Sequence, residues 1–273
     1  MSLQIATIPC RDDNYAFLLH DKDSGQTALV DAPEAAPIIT ELDKRGWNLT
    51  HILITHHHYD HVDGLEELRT KYGASVIGSK QDAYRLPPLD VEVIEGDTIK
   101  IGDNEGRVLD VSGHCDNHLA FHFPTSFAVF TADSLMALGC GRLFEGTPAQ
   151  MWESLGKLAA LPPMTMVYSG HEYTAANATF AHSIEPNNPA LKDRILQIIE
   201  ARAQNMPTVP SILGDELATN PFLRAASPEI RQNLGMEEAT DTEVFAEIRR
   251  RKDNFTQKEM PDITEDPCNC AYE

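Results

Sequence analysis

The run Thr55-His56-His57-His58-Tyr59-Asp60-His61 decides how this chain reads. It follows the apolar stretch His51-Ile52-Leu53-Ile54, and the two together predict a buried strand over 51–55. Side chains alternate along an extended chain, so His56 and His58 point one way and His57 the other. Asp60 and His61 come at the turn before a helix predicted from Gly64 to Tyr72. His56, His58, Asp60 and His61 are all able to bind a metal, and they gather at the carboxyl end of a strand. That is the edge at which α/β sheets place ligand sites.

Three further candidates each follow an apolar strand. His114 comes after 108–111 through Ser112-Gly113, Asp133 after 127–132, and His171 after 166–168 through Ser169-Gly170. The glycine beside two of them is expected to let backbone pass close to a crowded centre. The set holds five histidines and two aspartates, more than one tetrahedral zinc accepts. It suits two divalent metal ions per chain, with His56, His58 and His114 on one and Asp60, His61 and His171 on the other. Asp133 would bridge them together with a water. No cysteine joins the set, and imidazole with carboxylate suits zinc, iron or manganese. Two adjacent metals lower the pKa of bound water to near ~7, and one of them can receive a carbonyl oxygen. The expected chemistry is hydrolysis of an ester, thioester or amide by a bridging hydroxide, with Asp60 and Asp133 as catalytic carboxylates. A thiol leaving group, with a pKa of roughly 8.5, would need no strong acid. His118 is placed to orient the site from behind; His20, His51, His57, His122 and His182 read as packed or surface residues.

Residues 1–173 alternate short strands, such as 28–30, 76–77, 119–123 and 165–168, with helices over 33–45 and 148–161. This pattern predicts an α/β sandwich. After Thr174 the strand signal stops. Asn188-Pro189 opens a helix to about Ala203, and Thr240 with Glu243 forms a capping box before Val244 and Ile248. Residues 174–273 therefore read as a small helical domain. No apolar stretch approaches the ~18 residues of a membrane span, and Met1-Ser2-Leu3-Gln4-Ile5 is no secretory signal, so a cytoplasmic protein without a membrane partner is expected. The five cysteines are scattered and odd in number, which excludes a disulfide framework; Cys268-Asn269-Cys270 is half a metal clip without its second half and reads as a frayed tail. A net charge of −20 argues against nucleic acid. It also means that an anionic substrate needs a local basic pocket. Arg249-Arg250-Arg251-Lys252 is the one dense basic cluster, although such a run in a last helical turn is commonly just solvated. Nothing suggests an obligate partner, so a monomer is expected.

The metal run with His114, Asp133 and His171 resembles the metallo-β-lactamase superfamily. More closely, the chain resembles the glyoxalase II, or hydroxyacylglutathione hydrolase, family. The stretches that carry this likeness are Ile8-Pro9-Cys10 with Asp13-Asn14-Tyr15, Gly139-Cys140-Gly141-Arg142-Leu143-Phe144-Glu145-Gly146, Gly170-His171-Glu172-Tyr173-Thr174, Asn220-Pro221-Phe222-Leu223-Arg224 and Arg249 to Asp253. The resemblance implies an α+β fold: an αββα sandwich as catalytic domain over 1–173, then an α-helical substrate-binding domain over 174–273. It implies hydrolysis of a small-molecule glutathione thioester, S-D-lactoylglutathione, to glutathione and D-lactate in methylglyoxal detoxification. It implies glutathione contacts at Arg142, Tyr173, Arg249 and Lys252. Many members carry lysine at position 142 and tyrosine at 144, and the loop usually written Pro-Gly-His-Thr-x-Gly-His reads Ser112-Gly113-His114-Cys115-Asp116-Asn117-His118 here. The similar persulfide dioxygenases use one iron and fewer ligands, and a β-lactamase or nuclease needs no basic C-terminal run. A non-catalytic scaffold would lack ligands.

Overall fold

The computed structural model describes residues 2–256, so Cys268 and Cys270 lie outside the described residues. Two six-stranded sheets face each other. The first runs in the order β1 (Gln4–Cys10), β2 (Asn14–His20), β3 (Thr27–Val30), β4 (Leu49–Leu53), β5 (Ser75–Ser79), β6 (Val91–Val93). The second contains β7 (Thr98–Ile101), β8 (Asn104–Asp110), β9 (Leu119–Phe123) and β10 (Ala128–Ala132). A small hairpin, β11 (Leu135–Met136) and β12 (Gly139–Cys140), precedes β13 (Met166–Ser169) and β14 (Ser211–Ile212), which close the second sheet beyond β10.

The helices are α1 (Ala35–Arg45), α2 (Tyr59–Val62), α3 (Leu65–Tyr72), α4 (Pro148–Ala159), α5 (Thr174–Ile184), α6 (Pro189–Ala203), α7 (Leu213–Thr219), α8 (Pro228–Leu234) and α9 (Asp241–Asp253). The layers follow from strand alternation. In β2, Phe17 and Leu19 enter the core between the sheets with Phe121, Phe123 and Phe130, while Ala16 and Leu18 turn outward to meet Ile38 and Leu42 of α1 and Leu65 and Leu68 of α3. On the far face of the second sheet, Ala120, Val129 and Val167 meet Met151 and Leu155 of α4 and Val244, Phe245 and Ile248 of α9. This is an αββα sandwich with helices from the C-terminal part sharing its outer core.

Several elements differ from the sequence reading. The β1–β2 hairpin was not predicted: β2 is buried on both faces and shows no alternation, although β1 does alternate. Helix α1 begins at Ala35 instead of residue 33. The C-terminal part also contributes a short strand: Ser211 pairs with Val167, joining β14 to the edge of the second sheet.

Between β10 and β13 the register shifts between Phe130 and Ala132, and Ala132 adopts φ 40°. The irregularity bends the chain at the strand end and delivers Asp133 to the cleft between the sheets. At the other end of the molecule, Thr240 and Glu243 do form the reciprocal capping box of α9. Thr240→Ala should therefore cost about 1 kcal/mol and lower Tm by roughly 2–4 °C in a thermal melt.

Candidate metal centre and substrate cavity

The segment after β4 is folded around one buried carboxylate. Asp31, at φ 57° just past β3, accepts hydrogen bonds from the Thr55 amide (2.9 Å), the Thr55 hydroxyl (2.8 Å) and His61 Nδ1 (2.8 Å). This anchors both ends of the histidine run and leaves His61 Nε2 free to face the cleft. His56 packs against His118, with stacked rings 4.5 Å apart. His57 turns away, toward Asp82 at 3.2 Å.

The seven candidate ligands come together as two groups. His56, His58 and His114 offer nitrogens that all lie within 4.8 Å of one another, and so do the atoms offered by Asp60, His61 and His171. In the first group His58 Nδ1 is 3.1 Å from His56 Nε2 and 3.0 Å from His114 Nε2. In the second, Asp60 Oδ2 is 3.7 Å from His61 Nε2 and 3.5 Å from His171 Nε2. Asp133 stands between them: Oδ1 is 3.6 Å from His61 Nε2 and 3.4 Å from His171 Nε2, and Oδ2 is 3.5 Å from His114 Nε2. Tetrahedral ligands at roughly 2.0–2.1 Å from a zinc sit about 3.4 Å apart, so these separations suit donors around common centres. Two buried polar atoms without a hydrogen-bond partner, His61 Nε2 and Asp133 Oδ1, lie in this cleft. Buried polar groups are ordinarily paired, and a divalent cation pairs both. Asp31, His56 and His61 also form a close trio, but Asp31 is already occupied by Thr55 and His61 and serves as a support.

The electrostatics agree. Burial and neighbouring imidazoles hold His56 well below the usual histidine range and bring His58 down to about 4, so both present neutral, ligating nitrogens. Burial also pulls down His171, but Asp133 and Asp13 outweigh it and push the ring up to about 9. Burial would raise Asp133; His171, His61 and His114 instead hold it well below the carboxylate range. The field at the second group thus demands positive charge. His118 donates from Nδ1 to the Leu119 carbonyl (3.1 Å), which leaves Nε2 to accept from the Asp133 amide (3.4 Å) and place that carboxylate.

A cavity of about 320 Å³ opens from His114 and Asp133 and is walled by Arg142, Phe144, Tyr173, Asn177, Arg249 and Lys252. All four residues named as substrate contacts therefore border one space with His114 and Asp133. Tyr173 stacks flat on His171 (4.7 Å, 5°). Arg249 is buried, donates to the Cys140 carbonyl (2.8 Å) and to Asp253 (2.8 Å), and lies over Phe222. Lys252 reaches the Ala176 carbonyl (3.0 Å) across the Phe180 ring. Arg250 and Arg251 are paired with Glu247 instead (2.7 and 2.8 Å), so helical spacing splits the basic run. Asn177 was missed from sequence; its one signal is its place a helical turn after Tyr173. Gly113 plays a different part from the expected one. A Cβ there would meet Met151 of α4 at 2.7 Å, so this glycine admits a helix and not the metal centre.

Two sheets with helices outside and a double His/Asp cluster in the cleft define the metallo-β-lactamase fold, and the family model described as the metallo-beta-lactamase superfamily matches residues 11–171. A second, described as hydroxyacylglutathione hydrolase C-terminus, matches residues 172–255. The hydroxyacylglutathione hydrolase of Ruegeria pomeroyi is 64% identical over 255 residues, which is 93% of this chain and 100% of that protein. Among solved structures, ETHE1 from Myxococcus xanthus superposes with a TM-score of 0.63 at 24% identity, covering 92% of this chain and 97% of that one. TTHA1623 in a di-iron-bound form gives 0.58 at 25% identity, covering 81% and 100%. The chain belongs to the hydroxyacylglutathione hydrolase family, and it is a hydrolase.

At Gly170 a Cβ would lie 2.6 Å from Asp133 Oδ1 and 2.9 Å from His61 Cε1. Gly170→Ala should displace both groups and weaken divalent-metal affinity on the order of 10–100-fold, read by metal analysis of the purified protein under competition with a chelator.

Proposed function

We propose that this chain hydrolyses S-D-lactoylglutathione to glutathione and D-lactate in methylglyoxal detoxification. The observation that carries this reading is the cavity that His114 and Asp133 of the His/Asp cluster border together with Arg142, Tyr173, Arg249 and Lys252. Two divalent ions per chain, zinc in our reading and iron or manganese by the same donor chemistry, would be held by His56, His58 and His114 and by Asp60, His61 and His171 with Asp133 between, supplying Lewis acidity that activates water and polarises the thioester carbonyl.

The protein's own groups do the rest. Asp60, itself held by Asn14, orients the attacking water, and Asp133 fixes the spacing of the two halves. The C–S bond breaks and glutathione leaves as a thiolate, whose conjugate thiol has a pKa of roughly 8.5, so no general acid is required of the cavity. Glutathione carries carboxylates, and a chain of net charge −20 can receive them only where cations are concentrated. Arg142, at the open rim, and Lys252, deeper in, meet that need. Arg249 contributes charge while holding β12 against α9. In this division of labour residues 1–173 form the catalytic domain, and the helices after 174 form the substrate-binding part. No helix among the described residues is long and apolar enough to cross a membrane. We read the protein as a cytoplasmic monomer with a small-molecule substrate and no nucleic-acid partner.

The deciding assay is thiol release from S-D-lactoylglutathione by metal-loaded protein; loaded protein that releases no thiol overturns the reading. Lys252→Ala should raise KM about tenfold and leave kcat within twofold, because it removes binding shared by ground and transition states. Its pH dependence follows from its surroundings. Burial, with the adjacent Arg249, lowers the Lys252 ammonium to about 8, so the cation is present below that pH and lost above it. The KM of the wild-type enzyme should rise as pH passes 8, and Lys252→Arg should abolish that rise.

A further inference from the structure

The tripeptide Asp13-Asn14-Tyr15, at the turn into β2, enters the chemistry above only through Asn14's hold on Asp60, yet each of its side chains grips the second His/Asp group or its neighbour. Asp13 Oδ1 accepts from His171 Nδ1 at 2.9 Å. Asn14 Nδ2 donates to Asp60 Oδ2 at 3.1 Å and to the Asp60 carbonyl at 3.2 Å. The Tyr15 hydroxyl donates to Glu172 Oε2 at 2.8 Å. Backbone bonds lace the same turn to either side of His171: the Tyr15 amide donates to the Gly170 carbonyl and the Glu172 amide to the Asp13 carbonyl, both at 2.8 Å. The turn is itself braced. Arg11, at φ 50°, donates through its amide to Glu34 (2.9 Å) and through Nε to the Pro33 carbonyl (2.9 Å).

The first group is held quite differently. His56 Nδ1 rests on the Thr55 hydroxyl at 3.0 Å and His114 Nδ1 on the Arg142 carbonyl at 2.7 Å. Neither partner is charged. In the second group His171 is backed by Asp13 and His61 by Asp31 (2.8 Å), both carboxylates. A carboxylate behind an imidazole fixes which nitrogen carries the proton and raises the basicity of the other. Residues 13–15 make no hydrogen bond to His56, His58 or His114 among the described residues.

We propose that Asp13 and Asn14 are positioning residues for one half of the metal centre: they set His171 and Asp60 for the second metal and leave the first untouched. This rests on the two-metal reading above. The test is a titration of chelator-stripped protein with Co(II), followed by absorption in the presence of a competing chelator. Wild type should bind two equivalents. Asp13→Ala should weaken one equivalent 10–100-fold and leave the other within twofold, and the weakened equivalent should be the one lost in His171→Ala. Asn14→Ala should weaken the same equivalent several-fold, and Asp13→Asn, which keeps an acceptor oxygen, should lose less than Asp13→Ala. Should Asp13→Ala not fold, Asn14→Ala and Asp13→Asn carry the same expectation. Wild type binding a single equivalent would overturn the two-metal reading and this proposal with it. Wild type binding two, while the variants keep wild-type affinity at both sites or weaken both alike, would overturn this proposal alone.

Discussion

A carboxylate buried among histidines is the constraint on which this structure turns. Asp133 is almost fully buried, and stripping it of water would ordinarily drive it toward its neutral form. It stays ionised because His171, His61 and His114 surround it, and those rings sit where they do because three separate strand ends converge on it. The bend at Ala132, the hydrogen bond that the Asp133 amide donates to His118 and the glycine at 170 all serve to bring that one side chain into place. A charge so placed is tolerable only if cations answer it. The fold therefore builds an appetite for positive charge into its own centre.

How much of this was written in the sequence depends on the range over which each interaction acts. The histidine run could be read because strand alternation and a following turn are local, and His114, Asp133 and His171 because each ends an apolar run. Of the residues that steady them, His118 could be read from its place four after His114, but the distant carboxylates could not. Asp13 lies 158 residues from His171 and Asp31 lies 30 from His61, and nothing in their local pattern marks them. Gly113 was misread for a related reason: a glycine announces close approach but not what approaches, and here it is α4. Strand β2 escaped because a strand covered on both faces loses the period that reveals strands. The basic run was ambiguous until helical geometry divided it, with Arg249 and Lys252 facing the cavity and Arg250 and Arg251 facing Glu247. Resemblance had already favoured that division.

The two halves of the chain are less separate than their composition suggests. Val244, Phe245 and Ile248 of α9 share a core with Met151 and Leu155 of α4 and with Val129 and Val167 of the second sheet. The cavity depends on this union, since its walls come from the loop at 141–144, from α5 and from α9. Arg249 ties the pieces together by donating to the Cys140 carbonyl while its charge faces the same space. One guanidinium thus both ties α9 to β12 and lines the cavity, whereas Lys252 lines the same cavity with fewer structural duties.

His114 takes its orientation from the carbonyl of Arg142 and not from the arginine side chain. Any residue at 142 supplies that carbonyl, provided the loop keeps its path. Selection can therefore exchange lysine for arginine there, or retune the charge and reach of the cavity rim, without disturbing the histidine behind it. The orientation of His114 is thereby insulated from whichever side chain stands at the cavity rim.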